Sequence, residues 1–521
     1  MSFSTSIVAA EQSQTLILIG SELNSCSRLA PQNCDENTQI AGKSAPMYSV
    51  SKTQISHIRQ QWPSTNQQNK NNTAASLLAL AEKAAQPMTK SELLWLWRDI
   101  DNAQLNSLSV QEFNFVFDML EVPAINHQQQ RLTAHHKASL KNPNSANEIM
   151  QFINGSLKVA SATPSILTIT AANRDPYAAA DANQGLFDIR GVTSQWLALT
   201  PALAKAISSN RCEQLPALRH SEMQLYNREA IYSKYTEAEY NLCKQGIEGI
   251  VALINNSTGV YFNGDEQAAL RRILFDDNNQ AYPWTHALQT RPVIVASNGA
   301  TAMQSGGSNP SGKVASVLAG SSLSALRADK QDSLRFQPDG GLATFDFGVL
   351  DTQFSEQNRT FRLATILDKT QQQHGFGIDS NTALVVIKSA TGNVMTVIGN
   401  RGVVHLTAQG KQQYSYSYWP AGSVIDINDH TFSLSQRSIS QALAPIKIPS
   451  LPLQRFGSIL TAGKLRSLTQ AMCLSQEKSA VAQQDEFLIS LLKTSNSGYY
   501  RINNSQYGCA ISKLALKVSR F

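Results

Sequence analysis

RPVIVASNGATAM, residues 291–303, is the stretch on which the fold turns. Val293-Ile294-Val295-Ala296 reads as a buried strand, and Ser297-Asn298-Gly299-Ala300 leads directly into a helix-compatible segment. A strand that breaks into a helix through small residues sets Ser297 on a sharp turn at the carboxyl edge of a sheet, where a serine nucleophile belongs. Gly299 and Ala300 permit close backbone packing, and the amides of the next helical turn point to where an oxyanion would form.

Working outward, the same strand-to-helix scheme recurs. TLILIG (15–20) is a short apolar run closed by glycine, SILTITAAN (165–173) an apolar strand ending in small residues, and GVYFNGDEQ (259–267) a strand with polar residues at its end. TALVVIK (382–388) and MTVIG (395–399) supply later strands. Strands alternating with helices predict an α/β core around a mostly parallel sheet covered on both faces, with ligands beyond the carboxyl ends of the strands.

Between about 35 and 160 the texture differs. Gln/Asn-rich sequence (57–72) gives way to helical periodicity in SLLALAEKAA (76–85), SELLWLWRDI (91–100) and VQEFNFVFDML (110–120), which predicts a helical insertion. Asp99, Asp101 and Glu112 are not a calcium loop. One opening at Asp99 needs glycine at 104 and glutamate at 110, where Gln104 and Val110 stand. No metal or cofactor is expected. The division is therefore 13–34 plus 161–450 as core, 35–160 as insertion and 451–521 as a C-terminal extension.

The 521 residues carry 44 basic and 38 acidic side chains, a net charge of +6 without any Lys/Arg run, which argues against a nucleic-acid partner. No apolar stretch approaches the roughly 20 residues of a membrane span. Residues 1–12 include MSFSTSIVAA, whose Val8-Ala9-Ala10 resembles the cleavage end of a truncated secretory signal. Six cysteines fall into three neighbourhoods, Cys26 with Cys34, Cys212 with Cys243 and Cys473 with Cys509. None has CxxC spacing, so three local disulfides fit better than a metal site, although connectivity is open. Together these features predict a periplasmic or secreted protein.

The ordered run ILTITAANRDP (166–176), GVYFNGDEQ (259–267), ASNGATAM (296–303), GGLATFDFGVLDTQFSEQNRTFRL (340–363), GFGIDSNTALVV (375–386) and VIGNRGVV (397–404) resembles the cyanophycinase-type serine peptidases, which include aspartyl dipeptidases. SELNSCSRLAPQNC (21–34) is similar to exported members of that group. The resemblance implies a doubly wound, class I glutamine amidotransferase-like sheet, and leaves homodimerisation open. In register, the family serine falls on Ser297, its histidine on Gln353 and its glutamate on Ser380. Gly264 and Asn298 fall in the oxyanion region. Gln267, Asp351, Arg359 and Arg362 match positions that bind an acidic, aspartyl-containing peptide, with Gln357 where another arginine is usual.

A serine hydroxyl needs a base to take its proton, and an amide cannot serve. Loss of one triad member costs a factor on the order of 10⁴. The expectation is therefore a pseudoenzyme. Two alternatives stand beside it: a peptidase using Ser297 with a substitute base such as His374, His286 or His405, and a binding protein working through the insertion.

Overall fold

The structure is a computed structural model describing residues 13–23, 25–34, 46–84, 86–128, 130–134, 136–137, 145–188, 191–327, 334–444, 446, 458–502 and 508–520. The signal-like residues 1–12 lie outside them, as do parts of the expected insertion and C-terminal extension. The protein is mixed α/β, with two large sheets and many helices.

The apolar runs read from the sequence form one half of a nine-stranded sheet. Gln14–Ile19, Val293–Ser297, Gly259–Gly264, Ser165–Ala172 and Thr193–Trp196 lie side by side, all parallel. Their alternation feeds two cores. Leu16, Leu18, Val260, Phe262, Ile294 and Ala296 pack against helices Pro201–Ser208, Ser233–Asn255, Gln267–Leu274 and Pro283–Gln289. Ile17, Ile19, Tyr261, Val293 and Val295 pack on the opposite face, against Ile149, Met150, Ile153 and Leu157 of helix Ser145–Ala160. That helix, expected within the insertion, thus covers the sheet, because its apolar residues recur at helical spacing.

The other half corrects the expectation of a mostly parallel sheet. Thr382–Ser389, Gly392–Gly399, Val424–Asn428 and Thr431–Leu434 continue from Gln14–Ile19 as an antiparallel meander. Only Ala390 and Thr391 join the first two strands, whereas a parallel crossover needs a dozen residues or more. A second, eight-stranded sheet follows the order Val349–Thr352, His374–Ile378, Gly402–Gly410, Gln413–Pro420, Cys509–Arg520, Phe487–Leu492, Ser479–Gln484, with Gly498–Arg501 also on Cys509–Arg520. The C-terminal segment is therefore no appended staple. Its last strand lies in the sheet interior, burying Leu514, Leu516 and Val518 in one core with Tyr414, Tyr416 and Tyr418.

Helices Lys52–Gln60, Gln67–Lys83, Lys90–Ser107 and Val110–Leu120 enclose a core of their own that includes Ile58, Leu77, Leu80, Leu93, Trp97 and Phe115. Three begin with a reciprocal capping box, Ser51/Gln54, Thr89/Glu92 and Ser109/Glu112. The joint to the rest of the chain is ionic. The Arg228 guanidinium, 1% exposed, reaches Asp118 and Glu121 from this unit and Asp175 from the α/β part, while Arg174 grips Asp118 with two hydrogen bonds of 3.0 and 2.7 Å.

All three disulfides form between sequence neighbours: Cys26–Cys34, Cys212–Cys243 and Cys473–Cys509. Among the described residues, no helix is long and apolar enough to cross a membrane.

Candidate functional site

Five parallel strands direct their carboxyl ends toward one edge, and the turn after Val293–Ser297 lies there. Its geometry shifts the reading by one residue. Ser297 is the last residue of the strand, 0% exposed, and its hydroxyl lies 2.9 Å from the Tyr261 hydroxyl. Asn263 Nδ2 donates to the Tyr261 hydroxyl at 3.0 Å and to Ser297 Oγ at 3.4 Å. Ser297 is therefore enclosed beneath the turn. The corner itself is Asn298, at φ 61° and ψ −139°, with Gly299 opening the short helix Gly299–Ala302.

This backbone conformation is sparsely populated and costs about 1–3 kcal/mol for a residue with a side chain. Asparagine tolerates positive φ better than most. Small residues flank it at Ala296 and Ala300, where neighbouring backbone must come close. The loop is held from the other side too. A Cβ on Gly299 would lie 2.8 Å from the Asp265 carbonyl oxygen and 2.8 Å from Gln267 Cδ. Gly299→Ala should therefore cost about 1–3 kcal/mol through overpacking, read from the urea midpoint at constant slope.

Gln353, the expected base position, meets Asn298 rather than Ser297. Its Nε2 donates to Asn298 Oδ1 at 2.5 Å, and its backbone N–H donates to the Gly20 carbonyl at 2.9 Å. Amide orientation follows from the far end of the chain. Arg359 can only donate, and its Nε lies 3.1 Å from Gln357 Oε1. Gln357 must then donate through Nε2, which it does to Gln353 Oε1, and Gln353 in turn donates to Asn298. The series Arg359, Gln357, Gln353, Asn298 thus runs in one direction, leaving the Asn298 amide to present its N–H₂ beyond the series.

Gly264, expected in an oxyanion region, lies close to the corner. Gly264, at φ 122°, ends its strand within 2.2 Å of the Ala172 carbonyl oxygen as measured from an added Cβ, so only glycine fits. Asp265 follows, and its Oδ1 accepts the Gly299 N–H at 2.9 Å. A carboxylate of the chain occupies the first helical amide after the corner. Gln267 begins the adjoining helix with its side chain against Gly299.

The arginines expected to bind a carboxylate are largely committed inside the protein. Arg362 is buried and donates to both Asp351 oxygens, through Nε at 2.9 Å and through Nη2, with Nη1 on the Gly320 carbonyl. Arg359 donates to the Thr352 carbonyl at 2.7 Å and lies 3.5 Å from Asp351. Burial lowers its pKa. Neither arginine lies on a solvated helix face.

At Ser380 the side chain gives way to main-chain bonding, its N–H donating to Glu356 Oε2 at 2.9 Å. Glu356 also pairs with Arg401 and Arg466, and Arg466 Nη1 reaches the fully buried Asp379 at 2.7 Å. Burial raises the Asp379 pKa, reinforced by Glu356 and opposed by Arg466. For Glu356, burial acts upward but is outweighed by the Ser380 N–H, Arg466 and Arg401, so its pKa falls. Arg466 sits on helix Lys464–Ser475, far along the chain, and no local pattern reveals it. Glu356 was within reach in the FSEQNR segment, and Tyr261 and Asn263 in the strand beneath the turn. The three candidate substitute bases lie elsewhere: His374 and His405 bond each other at 3.1 Å, and His286 belongs to helix Pro283–Gln289.

A mixed α/β protein with a strand–turn–helix corner at the carboxyl edge of a parallel half-sheet is the class these features define. A scan of protein-family models finds no match. Among solved structures, the chain is similar to a peptidase from an acI-B1 Actinobacterium, at 14% identity and a TM-score of 0.33, over 54% of this chain and 91% of that one.

Proposed function

We propose that this chain is a hydrolytically silent relative of the cyanophycinase-type serine peptidases, which uses the corner for ligand recognition rather than peptide cleavage. The carrying observation is that Asn298 occupies the corner, with the Gln353 amide bonded to it. On this reading Ser297-Asn298-Gly299-Ala300-Thr301 takes the place of the family's Thr-Ser-Ala-Gly-Ala, so the positions of nucleophile, base and acid are Asn298, Gln353 and Ser380. The parallel half-sheet with helices on both faces supports the doubly wound, class I glutamine amidotransferase-like assignment. The formed disulfides support export to the periplasm or outside the cell.

The alternative of Ser297 as nucleophile is disfavoured by its surroundings. Its bonded partner, Tyr261, has a pKa pushed up by burial to about 12, so phenolate is scarce near neutral pH. A third reading, that the helical insertion at 35–160 works as a binding surface, draws on Trp95, which stands 70% exposed on helix Lys90–Ser107. We retain 35–160 and 451–521 as evolutionary additions to the core, although both are built into the folded chain. A small aspartyl-containing peptide remains the ligand class suggested for the corner, weakened by Asp265 at the Gly299 amide.

A fluorophosphonate probe tests the reading. Wild-type protein and Ser297→Ala should both remain unlabelled and should not turn over an aspartyl dipeptide. Labelling that disappears in Ser297→Ala would overturn it. Asn298→Ser combined with Gln353→His and Ser380→Glu should restore labelling, whereas Gln353→His with Ser380→Glu alone should not.

A further inference from the structure

Asn-Gly occurs three times in the chain, at 154–155, 263–264 and 298–299. In this dipeptide no side chain shields the glycine nitrogen, which can attack the asparagine carboxamide and close a cyclic imide if folding holds the two groups together. Substituents on a tetrahedral carbon lie about 120° apart, so the next backbone nitrogen eclipses Cβ of an L-residue at a ψ of about −120°. Asn298 has ψ −139°. The corner therefore turns the Gly299 nitrogen to the side on which the Asn298 carboxamide lies.

The other two pairs are held differently. Asn154 and Gly155 lie inside helix Ser145–Ala160, where ψ is about −42°, and Asn154 Nδ2 donates to the Met150 carbonyl at 2.8 Å. Asn263 and Gly264 close strand Gly259–Gly264, whose extended backbone, with ψ of about +115°, aims the following nitrogen away from Cβ. The Asn263 amide is also engaged by Tyr261, Ser297 and Asn173. At Asn298, by contrast, two further groups stand where the reaction needs them. Asp265 Oδ1 accepts the Gly299 N–H at 2.9 Å, the place of a base, and Gln353 Nε2 donates to Asn298 Oδ1 at 2.5 Å, where negative charge would develop. Asp265 is exposed and so exchanges protons with solvent.

We propose that the corner modifies itself, closing a succinimide between the Gly299 nitrogen and Asn298 Cγ with release of ammonia. Asp265 takes the proton as the Gly299 nitrogen bonds to Cγ, and the carbonyl electrons move onto Oδ1, where Gln353 stabilises them. As they return, the Cγ–Nδ2 bond breaks, and Nδ2 leaves as ammonia with the proton held by Asp265. Water then opens the ring at either carbonyl, giving aspartate or isoaspartate at 298. Ring closure keeps Oδ1 for Gln353 but removes the N–H₂ group and the Gly299 N–H. The corner thereby changes from donor to acceptor, and Asp265 is released. The proposal rests on the corner's geometry alone, so it holds or fails independently of ligand recognition and of any hydrolysis through Ser297.

The test incubates the full chain in warm neutral buffer, folded and in urea, and follows the three Asn-Gly peptides by mass spectrometry. In the folded chain the peptide holding Asn298 should lose one ammonia and then yield both aspartate and isoaspartate, about ten-fold faster than those holding Asn154 and Asn263. In urea that lead should vanish. Asp265→Asn keeps an acceptor for the Gly299 N–H but no base, and should slow the reaction about ten-fold or more at unchanged melting temperature, within the roughly 10²–10⁴-fold that a positioned base contributes. Gln353→Leu, which removes the donor to Oδ1, should slow it as well. An Asn298 peptide that stays intact in the folded chain, or converts no faster than the other two, would overturn the proposal. So would conversion to aspartate without isoaspartate or an ammonia-loss form, or a rate unchanged in Asp265→Asn.

Discussion

Replacing Arg228 with methionine is expected to lower the unfolding free energy by about 3–5 kcal/mol, because a buried ion pair broken on one side leaves its partners uncompensated. Here the partners are three. Asp118, Glu121 and Asp175 converge on one guanidinium that is 1% exposed, and its Nε also donates to the Tyr226 carbonyl at 2.7 Å. Burial already raises the pKa of Asp118 and Glu121, against the pull of Arg228. Without the arginine Glu121 should take up a proton, whereas Asp118 keeps Arg174, so the variant should regain stability on mild acidification where the wild type does not. Urea titrations at neutral pH and near pH 5 measure this. Arg228→Lys, which keeps the charge but not the planar fork, should fall between the two. A methionine variant as stable as wild type would mean that the joint is held by packing alone.

The second large effect is acid sensitivity from His374 and His405. These rings lie 3.1 Å apart, nitrogen to nitrogen, among Phe376, Trp419 and Phe432. A hydrogen bond between two imidazoles needs one acceptor nitrogen, so both cannot be protonated within it. Burial, aided by His430, lowers the His374 pKa to about 4, and burial with His374 and Lys513 holds His405 well below its ordinary value. The sign follows from proton counting. Both histidines are neutral in the folded protein but become protonated in the unfolded chain below its pKa of roughly 6.5, so stability present above that pH is lost as pH falls toward about 4.

For His374 the full window corresponds to about 3 kcal/mol. The readout is the slope of unfolding free energy against pH between 5 and 6.5. Glu356, with its lowered pKa, loses stabilisation on acidification, while Asp379, with its raised pKa, acts in the opposite direction. Replacing both histidines by leucine should flatten the slope by up to about 2.7 kcal/mol per pH unit. An unchanged slope would show that the pair does not titrate on unfolding.

The parallel half-sheet was legible because its strands are uninterrupted apolar runs, the pattern of strands buried on both faces. The antiparallel half was misread for want of weighing linker length: two residues between Ser389 and Gly392 exclude a crossover. In the last strand, alternation through Leu514, Leu516 and Val518 was a readable sign of sheet membership that the nearby cysteines obscured. The sequence places a strand-to-helix turn at 297–298, and the residue at the turn of the structure is Asn298. Ser297 and Asn298 are chemically plausible neighbours, and what separates them is backbone: asparagine's tolerance of positive φ, with Ala296 and Ala300 two residues to either side. Arg466 and the Asp265 bond to Gly299 depend on tertiary approach, which no spacing encodes.

The directed series from Arg359 to Asn298 has a consequence for how the corner would behave as conditions change. Amides do not titrate in the biological range, and the guanidinium at its head is always charged. An imidazole in the same place would switch from acceptor to donor as its surroundings acidify; Gln353 cannot. The series therefore presents one fixed pattern of donors wherever the chain stays folded.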